Sequence, residues 1–142
     1  MKYRLLVVLL VLFGTQAFGA NSPFVKNGNS RLIGKWTWTR PTNNCTEVYE
    51  YREDGTLFVT SGAEKSDNTY HLAYEPSFKG FYKIRSTIVK DYGGKDCADS
   101  ETDDSGASDT NFIKFHPSGN QYMLCHEESF DKCFGPLRRM AE

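Results

Sequence analysis

After an N-terminal apolar block, apolar and polar side chains alternate in short runs, with turn-forming residues between them. Period-two alternation is the pattern of a half-buried strand. It predicts strands over 35–40, 46–52, 56–61, 69–74, 80–89, 110–116, 121–126 and 133–138. The clearest is 80–89: Tyr82, Ile84, Ser86 and Ile88 share one face, while Lys83, Arg85 and Thr87 share the other. Glu47, Tyr49 and Tyr51 likewise oppose Val48, Glu50 and Arg52. Trp36 and Trp38, two apart, point to one side of the first strand, and Gly34 lets the chain enter it at an unusual angle. Residues 62–68 read as a polar connection, and Pro136 confines the last strand to an irregular or edge position. No long stripe of helical period follows the apolar block. The fold class is therefore all-β: an antiparallel up-and-down meander closing into a small barrel.

In such a meander successive loops alternate between the two ends. The tight turns Asp54-Gly55, Pro76-Ser77 and Ser118-Gly119 fall at one end, and the longer connections fall at the other. All four cysteines, Cys45, Cys97, Cys125 and Cys133, belong to that second end. Four cysteines allow three pairings. Cys125–Cys133 would close a short loop, which favours it together with Cys45–Cys97, although sequence leaves the choice open. No two cysteines have the spacing of a zinc knuckle.

The apolar block changes the expected compartment. Lys2 and Arg4 precede the unbroken run Leu5–Phe13, and small and polar residues follow it as far as Gly19. This is the pattern of a secretory signal peptide, too short to span a bilayer. The expected organisation is a signal peptide (1–19), a flexible Asn/Gly/Ser-rich leader (20–33), a barrel domain (34–139) and a short tail (140–142). An exported chain fits two disulfides, and periplasm or medium as its location. Without Lys2 and Arg4 the chain carries 15 basic and 18 acidic side chains, a net charge of −3, which argues against a nucleic-acid footprint.

Gly34-Lys35-Trp36 at the start of a strand meander, the basic pair Arg138-Arg139 at its end and the hairpin Glu50-Tyr51-Arg52-Glu53-Asp54-Gly55-Thr56 together resemble the lipocalin/calycin group, and most closely its short bacterial members. The resemblance implies that Trp36 sits at the closed end of the barrel, stacked on Arg138 or Arg139. Lys90-Asp91-Tyr92 is a poor stand-in for that family's Thr-Asp-Tyr motif.

Side chains that carry chemistry are sparse. His71, His116 and His126 are scattered, and no nucleophile elbow or phosphate loop is present. Asp96, Asp99, Glu101, Asp103, Asp104 and Asp109 crowd one loop, but neither EF-hand register starting at Asp99 or at Glu101 fits calcium. Asn44-Cys45-Thr46 fits a glycosylation acceptor in a eukaryotic secretory route. Glu47 shares the face of Tyr49 and Tyr51, where a carboxylate needs partners. Tyr49, Tyr51, Tyr70, Tyr74 and Tyr82 could fill the barrel or line an aromatic cavity with polar hydroxyls.

The expected function is a non-enzymatic barrel that binds a small hydrophobic or aromatic ligand, without metal or other cofactor and without a membrane span after signal cleavage. The alternative is a periplasmic protein-binding module of the inhibitor or immunity type. Its barrel would be filled, and its acidic loops would dock a basic protein.

Overall fold

The computed structural model describes residues 30–141. Eight antiparallel strands follow one another around a closed barrel: β1 (Gly34–Thr39), β2 (Thr46–Tyr51), β3 (Thr56–Ser61), β4 (Glu64–Leu72), β5 (Tyr82–Asp91), β6 (Ser108–Phe115), β7 (Gln121–Cys125) and β8 (Cys133–Arg139). A 3-10 turn, Phe130–Lys132, precedes β8. β1 closes the barrel on β8 through Trp36 opposite Arg139 and Thr37 opposite Arg138. Closure leaves no open sheet edge. Among the described residues no helix is long and apolar enough to cross a membrane. The expected signal peptide and residues 20–29 of the leader lie outside the described residues.

All eight expected strands are present, and β4 begins well before the position the pattern suggested. Residues 64–68 are not a connection: they form the first half of β4, paired with β3 from Ser61 opposite Glu64 to Leu57 opposite Asn68. Alternation continues through them, but the inward residues are polar. Ser66 and Asn68 are buried, and Asn68 Nδ2 donates to Ser66 Oγ (2.9 Å) and to the Leu57 carbonyl (3.3 Å). These bonds meet the cost of burying an amide. A register shift between Asp67 and Asn68, where Val89 turns outward on β5, restores the pairing of the apolar segments. β8 runs through Pro136, and its register against β7 shifts between Tyr122 and Leu124.

The end carrying the tight turns is packed. Trp36, Leu72, Ile113, Tyr122 and Leu137 are fully buried there, and Tyr122 meets the Trp36 indole edge-on at 4.8 Å. The packed region begins before Gly34. Leu32 is fully buried, and its carbonyl accepts the Trp36 Nε1–H at 2.8 Å. Arg139 stacks on Trp36, its guanidinium carbon 4.2 Å from the ring centroid. The same guanidinium donates to the carbonyls of Ile33 (2.6 Å) and Arg31 (2.5 Å). Residues 31–33 thus plug the base of the barrel, which a boundary at Gly34 excludes. Arg138, the other candidate for the stack, is exposed on the outer face.

The disulfides are Cys45–Cys97 and Cys125–Cys133. Both lie at the opposite end, with the 40–45, 92–107 and 126–132 connections. That end is the rim.

Candidate functional site

Above the packed base the barrel opens into a cup of about 460 Å³. This lies within the roughly 300–1,000 Å³ of small-molecule sites. Its floor and walls are Tyr49, Tyr51, Leu57, Val59, Ile84, Ile88, Leu124 and Phe134. Polar groups face the same space: Glu47 on β2, Ser61 on β3, Glu64, Ser66 and Asn68 on β4, Ser86 on β5 between Ile84 and Ile88, and Asp109 and Asn111 on β6. Asp104 and Ala107 of the β5–β6 loop and His126 beyond β7 complete the mouth.

Of the five tyrosines that could fill the barrel or line a cavity, Tyr49 and Tyr51 face the cup. Their rings stack nearly parallel, with centroids 6.4 Å apart. Tyr70 is buried in the base, edge-on to Tyr51, and its hydroxyl donates to the Arg52 carbonyl at 2.8 Å. Tyr82 is half-buried at the start of β5 against Phe115. Tyr74 is 74% exposed, because β4 ends at Leu72 and the chain leaves the sheet for the 73–81 connection. These three do not line the cup.

Glu47 is held by neutral donors. The Tyr49 hydroxyl donates to its Oε2 at 2.5 Å, and the Ser61 hydroxyl lies 3.3 Å from its Oε1. Ser61 Oγ also accepts the backbone N–H of Cys97 at 3.0 Å. One serine therefore joins the cup's carboxylate to the crosslinked loop. Burial first, and then the charge of Glu47, push the Tyr49 hydroxyl well above its ordinary range. Tyr51 and Tyr122, whose hydroxyls are 3.3 Å apart, are raised chiefly by burial. At the mouth, Glu64 is pushed up to about 7, first by burial and then by Asp91, Asp96 and Asp104, with Asp91 also sharing a hydrogen bond with it.

The acidic β5–β6 loop is shaped by its own carboxylates. Asp96 accepts the backbone N–H groups of Ala98 and Ser100, and Asp91 accepts those of Gly93 and Asp104. Arg40 Nη1 (2.7 Å) and Asn43 Nδ2 (2.9 Å) both donate to the Cys97 carbonyl, fastening the loop to the β1–β2 connection. Gly94 has φ +103°, and a Cβ there would lie 2.6 Å from the Ala63 carbonyl oxygen. The loop can approach the β3–β4 turn so closely only because that atom is missing. Among the described residues no three His, Cys, Asp or Glu side chains are grouped to hold a metal ion.

Ser61, Ser66, Asn68, Ser86 and Asn111 were not singled out in the sequence. The signal was present: Ser61, Ser66, Asn68 and Asn111 continue the inward parity of their strands beyond the last apolar residue, and Ser86 sits on the inward face between Ile84 and Ile88. No family model, curated protein or solved structure matches this chain.

Proposed function

We propose that this chain is an exported, non-enzymatic, lipocalin-like barrel that holds a small amphipathic molecule in its cup. The observation that carries the reading is the division of the barrel interior. Aromatic packing fills the base, and about 460 Å³ stays open beneath a rim fixed by two disulfides. A purely structural barrel of eight strands can fill itself with side chains. The crosslinks also support an oxidising compartment, periplasm or medium. The alternative, a protein-binding module acting through its acidic loops, needs no cup and is the weaker reading for that reason.

The test is saturable, one-to-one binding of the neutral dye N-phenyl-1-naphthylamine, together with Ser86→Trp, which fills the cup from its wall. The expected result is dye fluorescence that saturates in the native protein and falls at least about tenfold in affinity in the variant. Dye binding that Ser86→Trp leaves unchanged would place the dye elsewhere and refute the reading.

A further inference from the structure

The sign of the charge lining the cup narrows its occupant. Four carboxyl groups line it, from Glu47, Glu64, Asp104 and Asp109, and no lysine or arginine does. The whole chain is nearly balanced, with 17 basic and 18 acidic side chains. The bias therefore comes from how the strands sort their residues. On β4 Glu64 lines the cup while its neighbour Lys65 is exposed outside. On β5 the inward positions are Ile84, Ser86 and Ile88, while Lys83, Arg85 and Lys90 are exposed. On these two strands the cations face outward, and the charged groups that face the cup are carboxyls alone.

Glu47 lies beside the stacked tyrosines and is half-buried, whereas Asp104 and Asp109 are exposed. Its hydrogen-bonding partners, Tyr49 and Ser61, are both neutral. Hydroxyl donors carry no charge, so they leave the carboxylate without a counter-ion. A half-buried carboxylate without a counter-charge in a low-dielectric cup attracts a cation strongly. The four carboxyls come from β2, β4, β6 and the β5–β6 loop, and no three are grouped for one metal ion. They suit a larger, polyatomic cation. The rings of Tyr49 and Tyr51 offer faces for cation–π contact, and Leu57, Ile84 and Leu124 offer an apolar floor.

We infer that the cup selects an organic amine, with the ammonium between Glu47 and Asp109 and the apolar or aromatic body pointing down to Leu57, Ile84 and Leu124. This rests on the small-molecule reading above and adds the chemical class of the ligand.

Three probes of similar shape test it by calorimetry at neutral pH and low salt: tryptamine (cation), tryptophol (neutral) and indole-3-propionate (anion). N-phenyl-1-naphthylamine reports separately on the cup. Tryptamine is expected to bind roughly tenfold or more tightly than tryptophol, as a charge-assisted hydrogen bond provides. Indole-3-propionate is expected to bind most weakly. Glu47→Gln and, independently, Asp109→Asn should each move the tryptamine-to-tryptophol affinity ratio towards one. Asp109 is exposed near the mouth, so its variant keeps the test available if Glu47→Gln does not fold. If the dye binds but tryptophol or indole-3-propionate matches tryptamine, the amine inference fails and the small-molecule reading stands. If neither the dye nor any of the three saturates, both fail.

Discussion

A Cβ placed on Gly34 would lie 2.8 Å from Nη1 of Arg139, more than a hundred residues later in the chain. Gly34 has φ +119°, a backbone state that side chains resist, and it leaves the gap into which the guanidinium fits. That guanidinium cannot swing aside freely. It stacks on Trp36 and donates to two carbonyls of the plug. Gly34→Ala should therefore cost about 1–3 kcal/mol through backbone strain, with the displaced stack adding to it. Urea unfolding would show this as a lower midpoint with an unchanged slope.

The same geometry separates two neighbouring arginines. Arg139→Lys loses the planar stack and one of the two carbonyl bonds, and should destabilise by about 1–2 kcal/mol. Arg138→Lys lies on the outer face and should change stability by less than about 0.5 kcal/mol. Equal effects in the two variants would contradict the assignment of Arg139 as the stacking residue.

Particular residues explain why the barrel was legible and the cup was less so. Tyr82 to Ile88 announced a strand because inward meant apolar. Glu64 to Asn68 follow the same parity, but there inward means polar, so hydrophobic alternation vanishes where the cup needs hydrogen-bonding walls. Sequence read that half-strand as a connection for the same reason that it missed Ser66 and Asn68 as cup residues. The choice between Arg138 and Arg139 depends on the register of β8 against β1, a pairing across nearly the whole chain that no local pattern encodes. The crosslinked rim was legible because loop parity in a meander is a counting argument. Tyr74 was misplaced by a strand end two residues earlier than the alternation implied.

The two disulfides should contribute unequally. Cys45–Cys97 spans 52 residues and Cys125–Cys133 spans 8. Restriction of the unfolded chain gives roughly 4 kcal/mol for the long loop and roughly 2.5 kcal/mol for the short one. The Cys45/Cys97 double alanine variant should therefore be the less stable of the two. It also frees the β5–β6 loop from the cup, so it should weaken dye binding more than the Cys125/Cys133 variant does. Thermal unfolding and dye titration on the same samples test both halves of the expectation.

Alkaline titration should find a protected set of tyrosines. Tyr49, Tyr51 and Tyr122 all have raised pKa values, chiefly through burial. A group that holds its proton more tightly when folded supports the fold below its unfolded pKa. It withdraws that support as pH rises past it. Ultraviolet titration of tyrosinate follows their ionisation directly. The three should ionise only as the protein unfolds, with the absorbance step coinciding with loss of the circular dichroism signal. Tyr51→Phe should remove part of that step.

Glu64 makes a prediction of opposite use, because its pH window is physiological. Burial and the neighbouring carboxylates Asp91, Asp96 and Asp104 raise it to about 7 in the folded chain. Unfolded, it titrates in the ordinary carboxylic-acid range. Between those values the folded state binds the extra proton, so stability falls as pH rises through the window. Solvent at the mouth screens part of the repulsion, which limits the effect to on the order of 1 kcal/mol. Glu64→Gln mimics the protonated form and removes the dependence. The variant and the native protein should have similar urea midpoints near pH 4, where Glu64 is largely protonated in both the folded and the unfolded chain. Near pH 8 the variant should be the more stable. Midpoints that run parallel across this range would mean that Glu64 is no more than an ordinary solvated carboxylate at the rim.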